Sequence, residues 1–191
     1  MLLDREKPYI VLIPDVLTPE ECATWIAKIK ALGPEAAPIN TSRGTRIETR
    51  IRNNRRVMFD DTEGAASLFE RVKERVPQEI HDMVLTGVNE RLRCYEYEAG
   101  QRFAPHSDGT YVRSENEQSW YTFMVYLNEG FVGGETVFLV KPEKSIEPRT
   151  GLGLLFQHPI IHEGAEVRIG TKYVIRTDLM YRKKTREERS F

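Results

Sequence analysis

Apolar and polar positions along this chain fall into two regimes that meet near residue 90. Tyr9 to Ile13 reads as a short opening strand, and a helix signature follows it. Thr18 can cap, Pro19 suits the first helical position because its missing N–H has no partner to lose there, and Glu21 can complete a capping box. Cys22, Trp25, Ile26, Ile29 and Leu32 then share one helical face, and Gly33 ends the run. A second amphipathic segment after Thr62 lines up Ala65, Leu68, Phe69, Val72 and Val76 as far as Pro77. From about Leu92 the pattern changes to short β-type runs: Leu92 to Tyr97, Trp120 to Asn128, Thr136 to Val140, Gly153 to Phe156, Ile160 to Val167 and Lys172 to Tyr181. Turn signals such as Ala99-Gly100, Gly133-Gly134, Thr150-Gly151 and Ile169-Gly170 punctuate them. The pattern predicts an α+β fold, a jelly roll or double-stranded β-helix with N-terminal helices packed on one sheet. The charged stretch Arg182 to Arg189 is expected to be a frayed, solvated end.

A length of 191 residues suits one domain, with a helical part over about 1–90 and a jelly-roll core over about 91–182. Charge narrows the choice of partners. The 28 basic and 29 acidic residues leave a formal net charge of -1, which gives no general attraction to a polyanion and disfavours nucleic acid as partner. The N-terminal residues lack the layout of a signal peptide, and no apolar stretch approaches the roughly 20 residues that cross a bilayer. A soluble, cytoplasmic protein with no membrane partner is therefore expected. Cys22 and Cys94 have no CxxC spacing and read as buried free thiols.

The chemistry is concentrated in a few residues. His106 and Asp108 are two apart, so in an extended segment both project from one face. His162 lies far downstream on another predicted strand. Two imidazoles and one carboxylate on one face of a metal leave other positions open, the arrangement of non-haem iron(II) oxygenases. An isolated H-x-D can equally be a turn in which the Asp bonds its own backbone. His158 rivals His162, but Pro159 interrupts the chain after it, so it reads as a loop or structural histidine. His81, in an apparently helical Glu79 to Asp82 stretch, reads as a surface histidine.

The residues around these candidates form several ordered motifs. Tyr97 to Asp108, YEAGQRFAPHSD, is followed by Thr122 to Asn128, TFMVYLN, and by Gly133 to Phe138, GGETVF. His162-Glu163-Gly164 follows, with Val167, Gly170 and a lysine ten residues after His162. Together they resemble the prolyl 4-hydroxylase-like branch of the Fe(II)/2-oxoglutarate-dependent dioxygenase superfamily, over about residues 92 to 181. The resemblance implies that His106, Asp108 and His162 hold Fe(II) and that Lys172 pairs with the far carboxylate of 2-oxoglutarate, with Arg176 in reserve. It also places Tyr97 and Tyr126 as phenols donating to the cosubstrate, although core packing explains them as well. Met124 and Thr136 are expected to line the same cavity. The implied activity is hydroxylation with dioxygen, releasing succinate and carbon dioxide, and ascorbate is a further cofactor that the resemblance allows. Asp108 itself argues against halogenating variants, in which a small residue replaces the carboxylate.

Substrate identity lies outside these motifs. Small molecules, amino acids and peptidyl (including prolyl) substrates fit the resemblance; an oxidative dealkylase of nucleic acid and a non-catalytic jelly-roll binding module are the alternatives. Six arginines at 43, 46, 50, 52, 55 and 56 could offer an anion-binding surface, or form a solvated strand pair balanced by Glu48, Asp60 and Asp61. Gly109 to Gln118 could be a lid in which Arg113 meets substrate, or an ordinary loop.

Overall fold

The computed structural model describes residues 2–7, 9–41 and 44–189; Arg43 lies outside the described residues. Helix α1 (Pro19–Leu32) starts with the capping box, Thr18 Oγ1 accepting from the Glu21 N–H and the Glu21 carboxylate accepting from the Thr18 N–H. Gly33 closes it at φ 68. Cys22 and Ile29 are buried and Trp25 and Ile26 partly so, whereas Leu32 is 49% exposed and lies off the packed face. Helix α2 (Thr62–Val72) is capped by Asp61, which accepts from the Gly64 N–H at 2.8 Å. It stops earlier than the apolar period suggests. A 3-10 turn, Lys73–Arg75, follows, and Val76 is already extended, as a residue before proline prefers to be.

The strands are β1 (Ile10–Ile13), β2 (Arg55–Asp60), β3 (Met83–Val88), β4 (Arg91–Tyr97), β5 (Phe103–His106), β6 (Val112–Ser114), β7 (Glu117–Tyr126), β8 (Thr136–Phe138), β9 (Lys144–Ile146), β10 (Gly153–Gln157), β11 (His162–Gly164) and β12 (Lys172–Lys183). The large antiparallel sheet runs β1-β10-β7-β12-β4-β2, with β3 also paired to β12 and β6 to β7. The small sheet runs β9-β8-β11-β5. These two facing sheets form the expected double-stranded β-helix. Residue parity divides the large sheet between two cores. Leu92, Cys94, Phe123, Val125, Leu155, Tyr173 and Ile175 pack with α1 and α2. Tyr95, Tyr97, Met124, Tyr126, Leu154, Phe156 and Val174 pack with Phe138, Ile146 and Ile160 on the side of the small sheet. A sheet covered on both faces reads as continuous apolar runs, which is why its strands lack simple alternation.

Four details depart from the sequence pattern. The first ninety residues are less helical than expected, because β2 and β3 extend the large sheet and Ile39–Thr41 pairs with Gly44–Arg46. His81 follows the short strand Glu79–Ile80 with φ 52, a left-handed turn that excludes a helix, and its side chain is 44% exposed. The expected strand over Ile160 to Val167 divides into β11 and Val167–Ile169, which turns away to pair with Val132–Gly133. Arg182 belongs to β12 and forks onto the Glu188 carboxylate at 2.7 and 2.8 Å, so the charged end is folded back rather than frayed. Cys22 and Cys94 are free and buried, and burial pushes the Cys94 thiol up to about 12.

The joint between β1 and the double-stranded β-helix offers a stability test. Gly151 has φ +77, and a Cβ there would lie 2.1 Å from the Leu17 carbonyl oxygen; Gly100 has φ +84 with nothing within 4 Å. Gly100→Ala should cost about 1–3 kcal/mol for left-handed backbone alone. Gly151→Ala should cost more, since backbone must also move. Urea unfolding should give the lower midpoint for Gly151→Ala, and equal midpoints would contradict this packing.

Candidate metal centre

The pairing of β5 with β11 sets His162 directly opposite His106. In each ring Nδ1 bonds the carbonyl two residues earlier, His106 to Ala104 at 2.8 Å and His162 to Ile160 at 3.0 Å. A carbonyl only accepts, so each Nδ1 carries the proton and each Nε2 keeps its lone pair free for a metal. Both Nε2 atoms face Asp108, at 3.9 and 3.8 Å from its carboxylate oxygens, and the three ligand atoms lie within 4.8 Å of one another. Phe103 stacks on His106 with centroids 3.5 Å apart, and Phe156 lies against His162 at 4.4 Å, fixing both rings. Burial pushes His106 down to about 4 and also lowers His162, so both imidazoles are neutral. Burial alone would raise Asp108, but the Arg176 guanidinium beside it outweighs burial and holds the carboxyl well below its usual range. Neutral imidazoles and an ionised carboxylate are the protonation states that metal coordination requires. The residues present fit an iron(II) ion.

A hydrogen-bonded chain holds the carboxylate from behind. Thr122 donates its hydroxyl to Asp108 Oδ2 at 2.5 Å. Its oxygen must then accept from His158 Nδ1, 3.0 Å away. His158 Nε2 in turn accepts from Ser119 Oγ at 2.8 Å, and Ser119 accepts from the Tyr111 N–H at 2.9 Å. With His158 neutral, its pKa pushed down to about 4 by burial, this assignment satisfies every member. The His158 carbonyl also accepts from the Asp108 N–H at 3.1 Å, so this residue supports the ligand twice. His158 is 1% exposed, a structural histidine placed behind the metal site. Its partners were hard to see in the sequence because Ser119 and Thr122 are three apart, a spacing that puts strand residues on opposite faces. A bulge between Ser119 and Tyr121 brings them to the same side.

The triad opens into a cavity whose lining includes Tyr97, Met124, Thr136 and Lys172. Lys172, Val174 and Arg176 reach it from one face of β12, as the two-residue period expects. Lys172 Nζ donates to the Gly134 carbonyl at 2.6 Å and lies 5.1 and 5.4 Å from the Tyr97 and Tyr126 ring centroids. Burial pushes its pKa down to about 7. Arg176 occupies the metal end instead, 2.9 Å from Asp108 Oδ1. Four residues of strand put the Cα atoms of the two cationic residues about 13 Å apart. The Tyr126 hydroxyl is bonded to Thr136 Oγ1 at 2.6 Å. Arg113 turns away: the expected loop is the β6–β7 hairpin, and Arg113 pairs with Glu90 and Glu117. Arg46 pairs with Glu48 at 3.7 Å, but Asp60 and Asp61 pair with Arg91 and Lys28, leaving Arg52 and Arg56 to line a groove beside His106 and Asp108.

Comparison with known proteins agrees with this geometry. Residues 92–177 match the 2OG-Fe(II) oxygenase superfamily, a span holding all the sequence-expected site residues. Prolyl 4-hydroxylase 1 of Arabidopsis thaliana is 23% identical over 191 residues, covering 87% of this chain and 67% of its own length. Probable prolyl 4-hydroxylase 3 of the same organism is 23% identical over 171 residues, covering 78% of this chain and 58% of its own length. The chain thus spans 58% to 67% of the length of these relatives. Among solved structures, the viral collagen prolyl hydroxylase of Paramecium bursaria Chlorella virus-1 in its 2OG complex superimposes with a TM-score of 0.62 at 19% identity, covering 93% of this chain and 98% of that one. A Trichoplax adhaerens prolyl hydroxylase, in complex with a hypoxia inducible factor peptide fragment, gives 0.66 at 18% identity, with 95% and 86% covered. Residues 92–177 of the chain thus resemble the 2OG-Fe(II) oxygenase superfamily, and that match together with the triad implies Fe(II) and 2-oxoglutarate as cofactors.

Thr122→Val removes the hydroxyl that orients Asp108 while keeping its volume. Iron(II) affinity should fall about 10- to 100-fold, the usual cost of losing an outer-shell partner. Anaerobic iron titration against the unmodified protein measures it; unchanged affinity would show that the His158–Thr122 chain does not support the ligand.

Proposed function

We propose that this protein is a 2-oxoglutarate-dependent hydroxylase acting on an unactivated C–H bond of an amino acid, a peptidyl (including prolyl) group or another small molecule. The observation that carries this reading is a single cavity with His106, Asp108 and His162 at one end and the buried Lys172 at the other. His106, Asp108 and His162 would hold the iron. Bound iron and 2-oxoglutarate supply the oxidising chemistry, in which dioxygen is consumed, 2-oxoglutarate is converted to succinate and carbon dioxide, and one oxygen atom passes to substrate. The protein orients and protects. Phe103, Phe156 and Met124 give the cavity apolar walls that exclude water, and Thr122 with Arg176 fixes the Asp108 carboxylate. Lys172 would pair with the distal carboxylate of 2-oxoglutarate, and the Tyr97 ring narrows the space around that pair. The names of the relatives, prolyl 4-hydroxylases, and the peptide bound in the Trichoplax structure support a peptidyl substrate.

Pairing with Lys172 has a worked-out pH consequence. Below about 7 the unpartnered ammonium is charged and attracts a carboxylate; above it the amine is neutral and must take up a proton to pair. Affinity for 2-oxoglutarate should therefore weaken with rising pH, by about tenfold per unit once the free lysine is neutral and until it stays neutral when bound. Lys172→Arg, charged throughout, should flatten the dependence. Calorimetric titration of the iron-loaded protein from pH 6 to 9 measures both, and a flat profile for the unmodified protein would remove Lys172 from this role.

The activity itself is tested with Fe(II), 2-oxoglutarate and ascorbate over pools of amino acids, prolyl peptides and oligonucleotides. One of the first two pools should stimulate succinate release and gain one oxygen atom. Asp108→Ala should lower the rate by more than the roughly 100-fold expected for an outer-shell change. Stimulation by oligonucleotides alone would replace the reading with a nucleic-acid dealkylase.

A further inference from the structure

Beside the metal ligands lies a second concavity whose charge the triad does not explain. Arg52, Arg56, Arg93 and Arg176 line it together with His106, Asp108 and Tyr111. Arg93 and Arg176 are partly compensated, by Asp178 at 3.0 Å and by Asp108 at 2.9 Å. Neither Arg52 nor Arg56 forms an ion pair among the described residues, and burial together with the positive charge of Arg52, Arg93 and Arg176 lowers the Arg56 pKa.

Arg52 is built in rather than draped over the surface. It is 5% exposed, its guanidinium carbon lies 4.3 Å from the Phe103 ring centroid and 4.8 Å from that of Tyr95, and its Nε donates to Asn54 Oδ1 at 2.7 Å. Its Nη2 is buried with no hydrogen-bond partner, as is Arg176 Nε. A buried donor left unpaired costs free energy that an acceptor in the right place would recover. The local field is strong enough to reverse a burial effect. Burial by itself would raise the Tyr95 phenol, but Arg176, Arg52 and Arg93 together hold it below its ordinary value. An iron(II) ion at the triad would add positive charge to the same wall.

Resting on the hydroxylase reading above, we infer that this groove recognises an oxyanion on the substrate, a carboxylate or a phosphate group, with Arg52 and Arg56 as its principal donors. Guanidinium forks suit both anions, since each offers two oxygens to parallel N–H groups. Because the groove shares His106 and Asp108 with the metal site, an anion held there anchors the substrate next to the reacting centre. Lys172, at the far end of β12, is left for the cosubstrate. A neutral prolyl chain would leave the two unpaired arginines unused, so the groove favours an acidic substrate over an uncharged one.

The test is calorimetric titration of the anaerobic Fe(II)- and 2-oxoglutarate-loaded protein at constant ionic strength. The probes are acetate and sulfate, each beside a neutral counterpart of similar shape, acetamide and dimethyl sulfone. Saturable binding is expected for at least one anion and for neither neutral probe. Preference for acetate identifies a carboxylate substrate, and preference for sulfate a phosphate-bearing one. Arg56→Glu should weaken the binding by about tenfold or more, the loss of one charge-assisted contact. Arg56→Gln, which keeps size and polarity, should weaken it in the same direction, and far-ultraviolet circular dichroism checks that both variants fold. Absence of saturable anion binding, equal binding of a neutral probe, or undiminished affinity in both variants would overturn the inference. Anion binding by a protein that does not bind 2-oxoglutarate would count against the hydroxylase reading alone.

Discussion

An ionised carboxylate almost withdrawn from water has to be compensated by its surroundings, and the site is organised around that requirement at Asp108. Its side chain is 8% exposed, and an uncompensated charge in that position would cost several kcal/mol. Arg176 meets one oxygen and Thr122 the other. The same contacts that make burial tolerable fix the carboxylate in the geometry a metal needs. Thr122 is held by His158, and His158 by Ser119, so the position of a single ligand depends on β7, on the β10–β11 connection and on the turn before β6.

The sheets deliver these groups through the two-residue period of extended chain. Along β12, Lys172, Val174 and Arg176 point into the cavity while Tyr173 and Ile175 pack under the helices. One strand thus carries the buried cation proposed for the cosubstrate, an apolar spacer and the arginine that pairs with Asp108, and a shift of one residue would bury all three on the wrong side. The helices contribute to function indirectly, by closing the outer core and so fixing this register. The groove of Arg52 and Arg56 extends the logic outward: positive charge is concentrated where an anionic substrate would approach, and Lys172 serves the opposite end of the cavity.

Much of this was legible in the chain itself because the informative residues are local or evenly spaced. The capping box of α1 and the shared faces of His106 with Asp108 and of Lys172 with Arg176 follow from short-range periodicity, whereas the roles of those four residues came from the resemblance of the ordered motifs around them. Pro77 keeps Val76 extended, a local rule that the apolar period concealed, and α2 has already given way at Val72 to a 3-10 turn. The support by His158 was not legible, since it depends on a bulge that changes which face Ser119 occupies. Nor was the separation of the arginines: Arg46 finds Glu48 nearby, whereas Asp60 and Asp61 are taken by Arg91 and Lys28, contacts that exist only after folding. Long-range pairing decided which of those charges remained available.

The central claim is that His106, Asp108 and His162 form, with 2-oxoglutarate, one iron centre. Anaerobic visible absorption tests it most directly: iron(II) and 2-oxoglutarate added together should produce a weak charge-transfer band that saturates at one iron and one 2-oxoglutarate per chain. The band should be absent when either is omitted and lost in a folded His162→Ala variant. Folded, unmodified protein that shows no such band, or a His162→Ala variant that keeps it at full strength, would contradict the account.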